Sequence, residues 1–133
     1  MQNRNKVNFP KVLIATAGAL LANSIVFAIG TSAGASWDVG QPFLVGIAIV
    51  LGATALPMLL GALVAGFVSG KWSKAQNWFA WGVLAFSVVG SPSGWAASGQ
   101  AATGLALAAM HVVVGLAWFW AIKPSAIVAA KVA

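Results

Sequence analysis

The stretch AATGLALAAMHVVVGLAWFWAI, residues 101–122, decides how this chain is read. Its small and large apolar residues run on without a charge from Ala101 to Ile122. About 20 such residues in a helix span the roughly 30 Å of hydrocarbon in a bilayer, so the stretch is long enough to cross. It also holds the only histidine of the chain, His111. An imidazole in the middle of a membrane span needs a physical reason, either chemistry or packing.

Working outward, three more apolar runs precede it: Val12 to Ala35, Phe43 to Ser69, and one that begins at Trp78 and loses its apolar character at Gly90. The third would rise only about 20 Å, too little to cross. Its span therefore has to continue through Ser91-Pro92-Ser93-Gly94-Trp95, with a broken outer end at Ser91, Pro92 and Gly94. A second irregularity is expected at Pro57, because a proline inside a helix removes one backbone bond and clashes with the preceding turn. Pro10, by contrast, suits the first turn of a helix. The expected fold is all-α, a four-transmembrane-helix bundle forming one domain over residues 1–133, with helices at about 11–35, 42–69, 77–96 and 99–122.

Composition agrees. Of 133 residues, 61% are hydrophobic and 6% charged, against about 25% charged in a soluble domain. Such a chain cannot cover a water-facing surface; its first partner is the lipid bilayer. The net charge of +6 points to membrane orientation rather than nucleic acid, because the basic residues lie between the apolar runs. Arg4, Lys6 and Lys11 precede the first run, Lys71 and Lys74 separate the second from the third, and Lys123 and Lys131 follow the fourth. The other two connections carry none, so both termini and the middle connection are expected on the cytoplasmic side. Trp72, Trp78, Trp81, Trp118 and Trp120 sit at that end and Trp37 and Trp95 at the other, as interfacial anchors do. The basic head, first apolar run and Ala33-Gly34-Ala35 imitate a secretory signal. The run exceeds the roughly 7–15 residues of a signal core, so a retained helix is expected.

Each helix brings one hydrogen-bonding side chain near the bilayer centre: Asn23, Thr54, Ser87 and His111. Small residues mark where membrane helices approach closely. On the last helix Gly104, Ala108, His111 and Gly115 fall on one stripe; Gly30 and Gly34 on the first and Gly66 and Gly70 on the second form comparable steps. The polar side chains are accordingly expected to face the bundle interior as one layer. That layer is either a ligand or proton site or a set of interhelical hydrogen bonds that fix register. Neutral imidazole can join such a layer as donor and acceptor.

The residues present exclude much chemistry. A nucleophilic triad needs a base and an orienting acid, and the single acid, Asp38, lies in an outer loop where capping a helix start is its expected role. With no cysteine and one histidine, about three protein ligands for a metal cannot be assembled. A haem would need His111 from two protomers, because Met110 points about 100° away around the helix. No membrane-embedded carboxylate is available to couple protons to export. Gly90 to Gly94 lacks the lysine of a phosphate loop. No enzymatic activity, no cofactor and no metal site is expected.

Leu20-Leu21-Ala22-Asn23, Phe86-Ser87-Val88-Val89-Gly90-Ser91-Pro92 and Leu107-Ala108-Ala109-Met110-His111-Val112-Val113-Val114-Gly115 together resemble the small four-helix membrane proteins of actinobacteria grouped as a domain of unknown function. The resemblance implies four helices and a bacterial inner-membrane location, and brings no activity with it. Three functions remain as expectations: an accessory component that packs against other membrane proteins or copies of itself; a small transporter or channel subunit using the polar layer; and a cofactor- or pigment-binding accessory protein.

Overall fold

The computed structural model describes residues 6–72 and 74–124. Its helices are α1 (Phe9–Ser32), α2 (Ile47–Ser69), α3 (Ala75–Gly90), α4 (Ser93–Ser98) and α5 (Ala101–Ile122). There is no strand among the described residues. Arg4 and Lys131, two of the basic residues assigned above to the inner end, lie outside the described residues, as does Ser73.

Helices α1, α2 and α5 are each long and apolar enough to cross a membrane. α3 has 16 residues, a rise of about 24 Å, short of the roughly 30 Å needed. Ser91 and Pro92 break it as expected, and α4 adds six residues beyond the break. Gly94 does not belong to that break: it lies inside α4 and is buried. Nor does Pro57 break α2, which is continuous from Ile47 to Ser69. One missing N–H among that many intrahelical bonds is tolerated, and the proline ring is exposed on the outer face.

The helix ends explain where the expected bounds shift. Asn8 caps α1, its Oδ1 accepting from the Lys11 N–H at 3.1 Å, with Pro10 in the first turn. α1 stops at Ser32, short of 35, because Gly34 adopts φ +84°. Ala35 N then donates to Gly30 O and Gly34 N to Thr31 O, the pair of bonds that closes a helix through a left-handed glycine. α2 starts at Ile47 rather than 42, because the preceding residues fold back and Val45 N donates to Trp37 O at 2.9 Å.

α5 is the hub: it packs along α1 on one side and along α3 and α4 on the other, while α1 also packs along α2 and α2 meets α3 more sparsely. The interior is built from small residues. Ala15, Ala19, Ala62, Ala65 and Ala80 are buried, whereas Leu13, Ile14, Leu21, Ile25, Leu60, Leu63 and Phe67 are exposed. A soluble protein distributes them the other way round; close-packed small residues inside and long apolar ones outside belong to a membrane protein. The core has two clusters. One, around Met58, Trp118 and Ile122, lies toward the basic end; the other, around Trp37, Val50, Ala106 and Met110, lies toward the opposite end.

Candidate functional site

The four mid-helix polar residues lie at similar depth, about 16 to 22 Å from the basic ends of their helices at 1.5 Å per residue. They do not form one layer. Asn23, only 1% exposed, donates from Nδ2 to Thr54 Oγ1 at 2.8 Å. Thr54 in turn donates to Val50 O at 2.8 Å. This pair joins α1 to α2 between the two apolar clusters. The Asn23 Oδ1 is buried with no hydrogen-bond partner among the described residues. Ser87 is buried elsewhere, on α3 against α5, where a Cβ at Gly115 would meet the Ser87 Cβ at 2.7 Å.

His111 faces outward. Its side chain is exposed, which corrects the expectation that it points into the bundle. The cause lies in the helix opposite. Gly104 packs under Trp95 and Leu107 against Gly94, both in α4, while Gly115 packs against Ser87 in α3. His111, between them on the same stripe, therefore comes level with the break at Gly90–Ser91–Pro92. Gly90 has no side chain to cover it and open space where its Cβ would be. The hydroxyls near the break are spent on their own backbone, Ser91 donating to Val88 O at 2.8 Å and Ser93 to Gly90 O at 2.6 Å.

The imidazole Nδ1 lies 2.8 Å from Leu107 O. A carbonyl can only accept, so an Nδ1–H donates to it, and in the tautomer that carries this one proton Nε2 is an acceptor. Nε2 has no partner among the described residues. Nor do three of His, Asp and Glu come together among them. Asp38 accepts from Gly40 N at 2.8 Å and so closes its own loop turn instead of capping α2, which starts well beyond it.

The small residues separate into two kinds. Gly30, Gly104 and Gly115 are close-approach positions, where a Cβ would come within 3.0 Å of a neighbour. Gly66 makes ordinary contact with Phe9, at 3.6 Å from an added Cβ, and Ala108 is half-buried. Gly34 and Gly70 are not packing positions: both are exposed, and both belong to helix ends, Gly34 just past α1 and Gly70 at the cap of α2. Two close approaches were missed by sequence reasoning. A Cβ at Gly61 would stand 2.8 Å from the Trp118 ring, and one at Gly94 would stand 2.6 Å from the Leu107 Cβ. The Gly61–Ala65 step at i, i+4 was the available signal.

The largest polar assembly was also missed. At the end away from the lysines, Gln100 ties the α1–α2 loop to the start of α5. Its Oε1 accepts from Ser36 N at 2.8 Å and from Thr103 Oγ1 at 2.5 Å, while Nε2 donates to Gly34 O at 2.9 Å. Trp37 N donates to Thr103 Oγ1 at 3.2 Å, and its Nε1 to Thr31 Oγ1 at 3.0 Å. The Trp37 ring stacks on Phe27 with centroids 4.5 Å apart and closes over Gly30. Trp37 is thus a plug, 6% exposed, and not an interfacial anchor. Trp118 is likewise core, 3% exposed, with Nε1 donating to Phe79 O at 3.0 Å. The remaining five tryptophans are exposed.

This arrangement holds helices together. The Asn23–Thr54 bond is expected to be worth about 0.6 kcal/mol, the mean for interhelical hydrogen bonds in a membrane. A cycle of Asn23→Ala, Thr54→Val and the double variant, followed by reversible unfolding in detergent, measures it. Strict additivity would remove the bond as a source of stability.

No curated protein and no solved structure matches the chain. A family of unknown function, DUF6069, does match, over residues 4–127 and thus nearly the whole length, and the chain belongs to that family.

Proposed function

We propose that this chain is a non-catalytic subunit of a membrane assembly. In this reading it crosses a bacterial inner membrane four times, with α3 and α4 together making the third crossing and both termini in the cytoplasm. The face that carries His111 packs against another membrane-embedded chain, a second copy or a different protein. The single observation that carries the reading is the outward His111, with Nε2 unpaired at mid-span depth. A polar group left without a partner in hydrocarbon costs a few kcal/mol. A neighbouring helix that donates to Nε2 removes that cost. Small extramembrane segments and a largely apolar exterior leave little else for recognition.

The topology rests on charge. Lys11, Lys71, Lys74 and Lys123 all lie at one end of the helices, and the acid Asp38 lies in a loop at the other. At the basic end the ammonium groups rest on aromatic rings, Lys11 at 4.8 Å from Trp120 and Lys123 at 4.8 Å from Phe119. Such pairs suit the headgroup layer.

A transporter using one polar layer has less support, because Asn23 and Thr54 bond to each other while His111 lies on another face.

Mass measurement after extraction in mild detergent tests the proposal. The wild type is expected as an oligomer or a complex with a second membrane protein, and His111→Leu as a monomer of unchanged helicity. A wild type that is monomeric and unaccompanied overturns the reading, as does an assembly that His111→Leu leaves intact.

A further inference from the structure

At the basic end a groove of about 420 Å³ opens between the start of α1 and the last turns of α2. Its floor is apolar: Val7, Phe9, Leu63 and Phe67, with Gly66 giving depth where a side chain would fill it. Its rim is cationic. Lys6 lines it directly, and the Lys71 ammonium sits 4.5 Å from the centroid of the Phe67 ring, which forms one wall. Val7 is buried in the core cluster, which fixes the backbone beside Lys6.

We infer that this groove binds one anionic phospholipid, with an acyl chain along Leu63, Gly66 and Phe67 and its phosphate between Lys6 and Lys71. Depth, shape and charge agree. Lys6 precedes α1 and Lys71 follows α2, which on the proposed topology puts both where those helices leave the hydrocarbon, at the level of lipid phosphates. Below them the groove runs between two apolar helices. The one acidic side chain, Asp38, lies in the α1–α2 loop at the opposite end, so among the described residues no acidic side chain offsets the two ammonium groups. Basic residues near a membrane surface favour anionic over zwitterionic headgroups. The inference is independent of what covers His111.

The test uses the full chain, delipidated in a neutral detergent, with native mass spectrometry and thermal unfolding as readouts. Phosphatidylglycerol is added, then phosphatidylcholine with the same acyl chains, then inorganic phosphate. One phosphatidylglycerol is expected to remain bound and to raise the unfolding midpoint by several degrees. Phosphatidylcholine should bind at least tenfold more weakly, and phosphate alone should do nothing. Lys6→Gln and Lys71→Gln should each weaken retention about fivefold, and Gly66→Leu should abolish it by filling the groove. Lys123→Gln, whose ammonium lies over Trp81 and Phe119 instead, should leave it unchanged. Should Gly66→Leu fail to fold, the exposed lysine variants carry the test. Equal binding of the two lipids, a full response to phosphate, or an equal loss from Lys123→Gln and Lys71→Gln overturns the site.

Discussion

Gly104→Val is expected to destabilise the bundle by about 3 kcal/mol, the upper end of the usual overpacking penalty. A Cβ at Gly104 would stand 2.8 Å from the Trp95 Cα, against backbone that cannot rotate out of the way. The consequence is local before it is global. α4 has only six residues, too few for a helix to hold itself together, so its form depends on docking to α5. Gly94, where a Cβ would meet Leu107 at 2.6 Å, is the other half of that docking. The variant should therefore release α4 first and then loosen α3. Denaturant unfolding in detergent, followed by circular dichroism, measures the loss. Gly82→Ala is the control, since Gly82 has nothing within 4 Å of its would-be Cβ; it should be neutral or stabilising through better helix propensity. A Gly104→Val protein that unfolds with the wild type would mean that α4 does not dock on α5 as described.

The same contact explains what could be read from the sequence and what could not. Hydropathy and length located α1, α2 and α5, and the shortfall after Gly90 located the break at Ser91 and Pro92, because crossing length depends only on rise per residue. The central place of α5 was legible from its small residues. The direction of His111 was not, although it shares an azimuth with Gly104 and Gly115. Azimuth shows which neighbour a residue faces, not whether that neighbour is continuous. Opposite Gly104 and Gly115 there is a helix; His111 falls between those two contacts, and its side chain is exposed. Trp37 and Trp118 were misplaced for a related reason. Tryptophan near a span end fits an interfacial belt, and only the glycines opposite, Gly30 and Gly61, show that these rings turn inward. Gly34 and Gly70 looked like packing residues because spacing alone cannot distinguish a close approach from a helix end.

Trp37→Ala is expected to produce the second large effect, an opening of the end away from the lysines, at a cost of about 3–5 kcal/mol for a buried tryptophan. The indole carries the stack on Phe27, the bond to Thr31 Oγ1 and the cover over Gly30. Without it Gln100 still bridges to the loop in exposed surroundings, and Thr103 through the Trp37 N–H, but both lose their apolar backing. The chain has no cysteine, so a single cysteine placed at Ala106, 7% exposed beside Trp37, reports the opening by its rate of thiol labelling. Labelling should be slow in the wild-type background and at least tenfold faster with Trp37→Ala. The backbone supplies a second, sharper expectation. Trp37 has φ +56°, the only left-handed non-glycine among the described residues, which costs an L-residue about 1–2 kcal/mol. Alanine keeps that strain and glycine removes it, so Trp37→Gly should be more stable than Trp37→Ala despite the greater freedom of glycine in the unfolded chain. The margin should be about 1 kcal/mol, once that freedom is set against the relieved strain. Alanine proving the more stable of the two would show that the loop relaxes out of the left-handed region once the indole is gone. The strain would then be held by the side chain, with the plug forcing the turn rather than the turn presenting the plug.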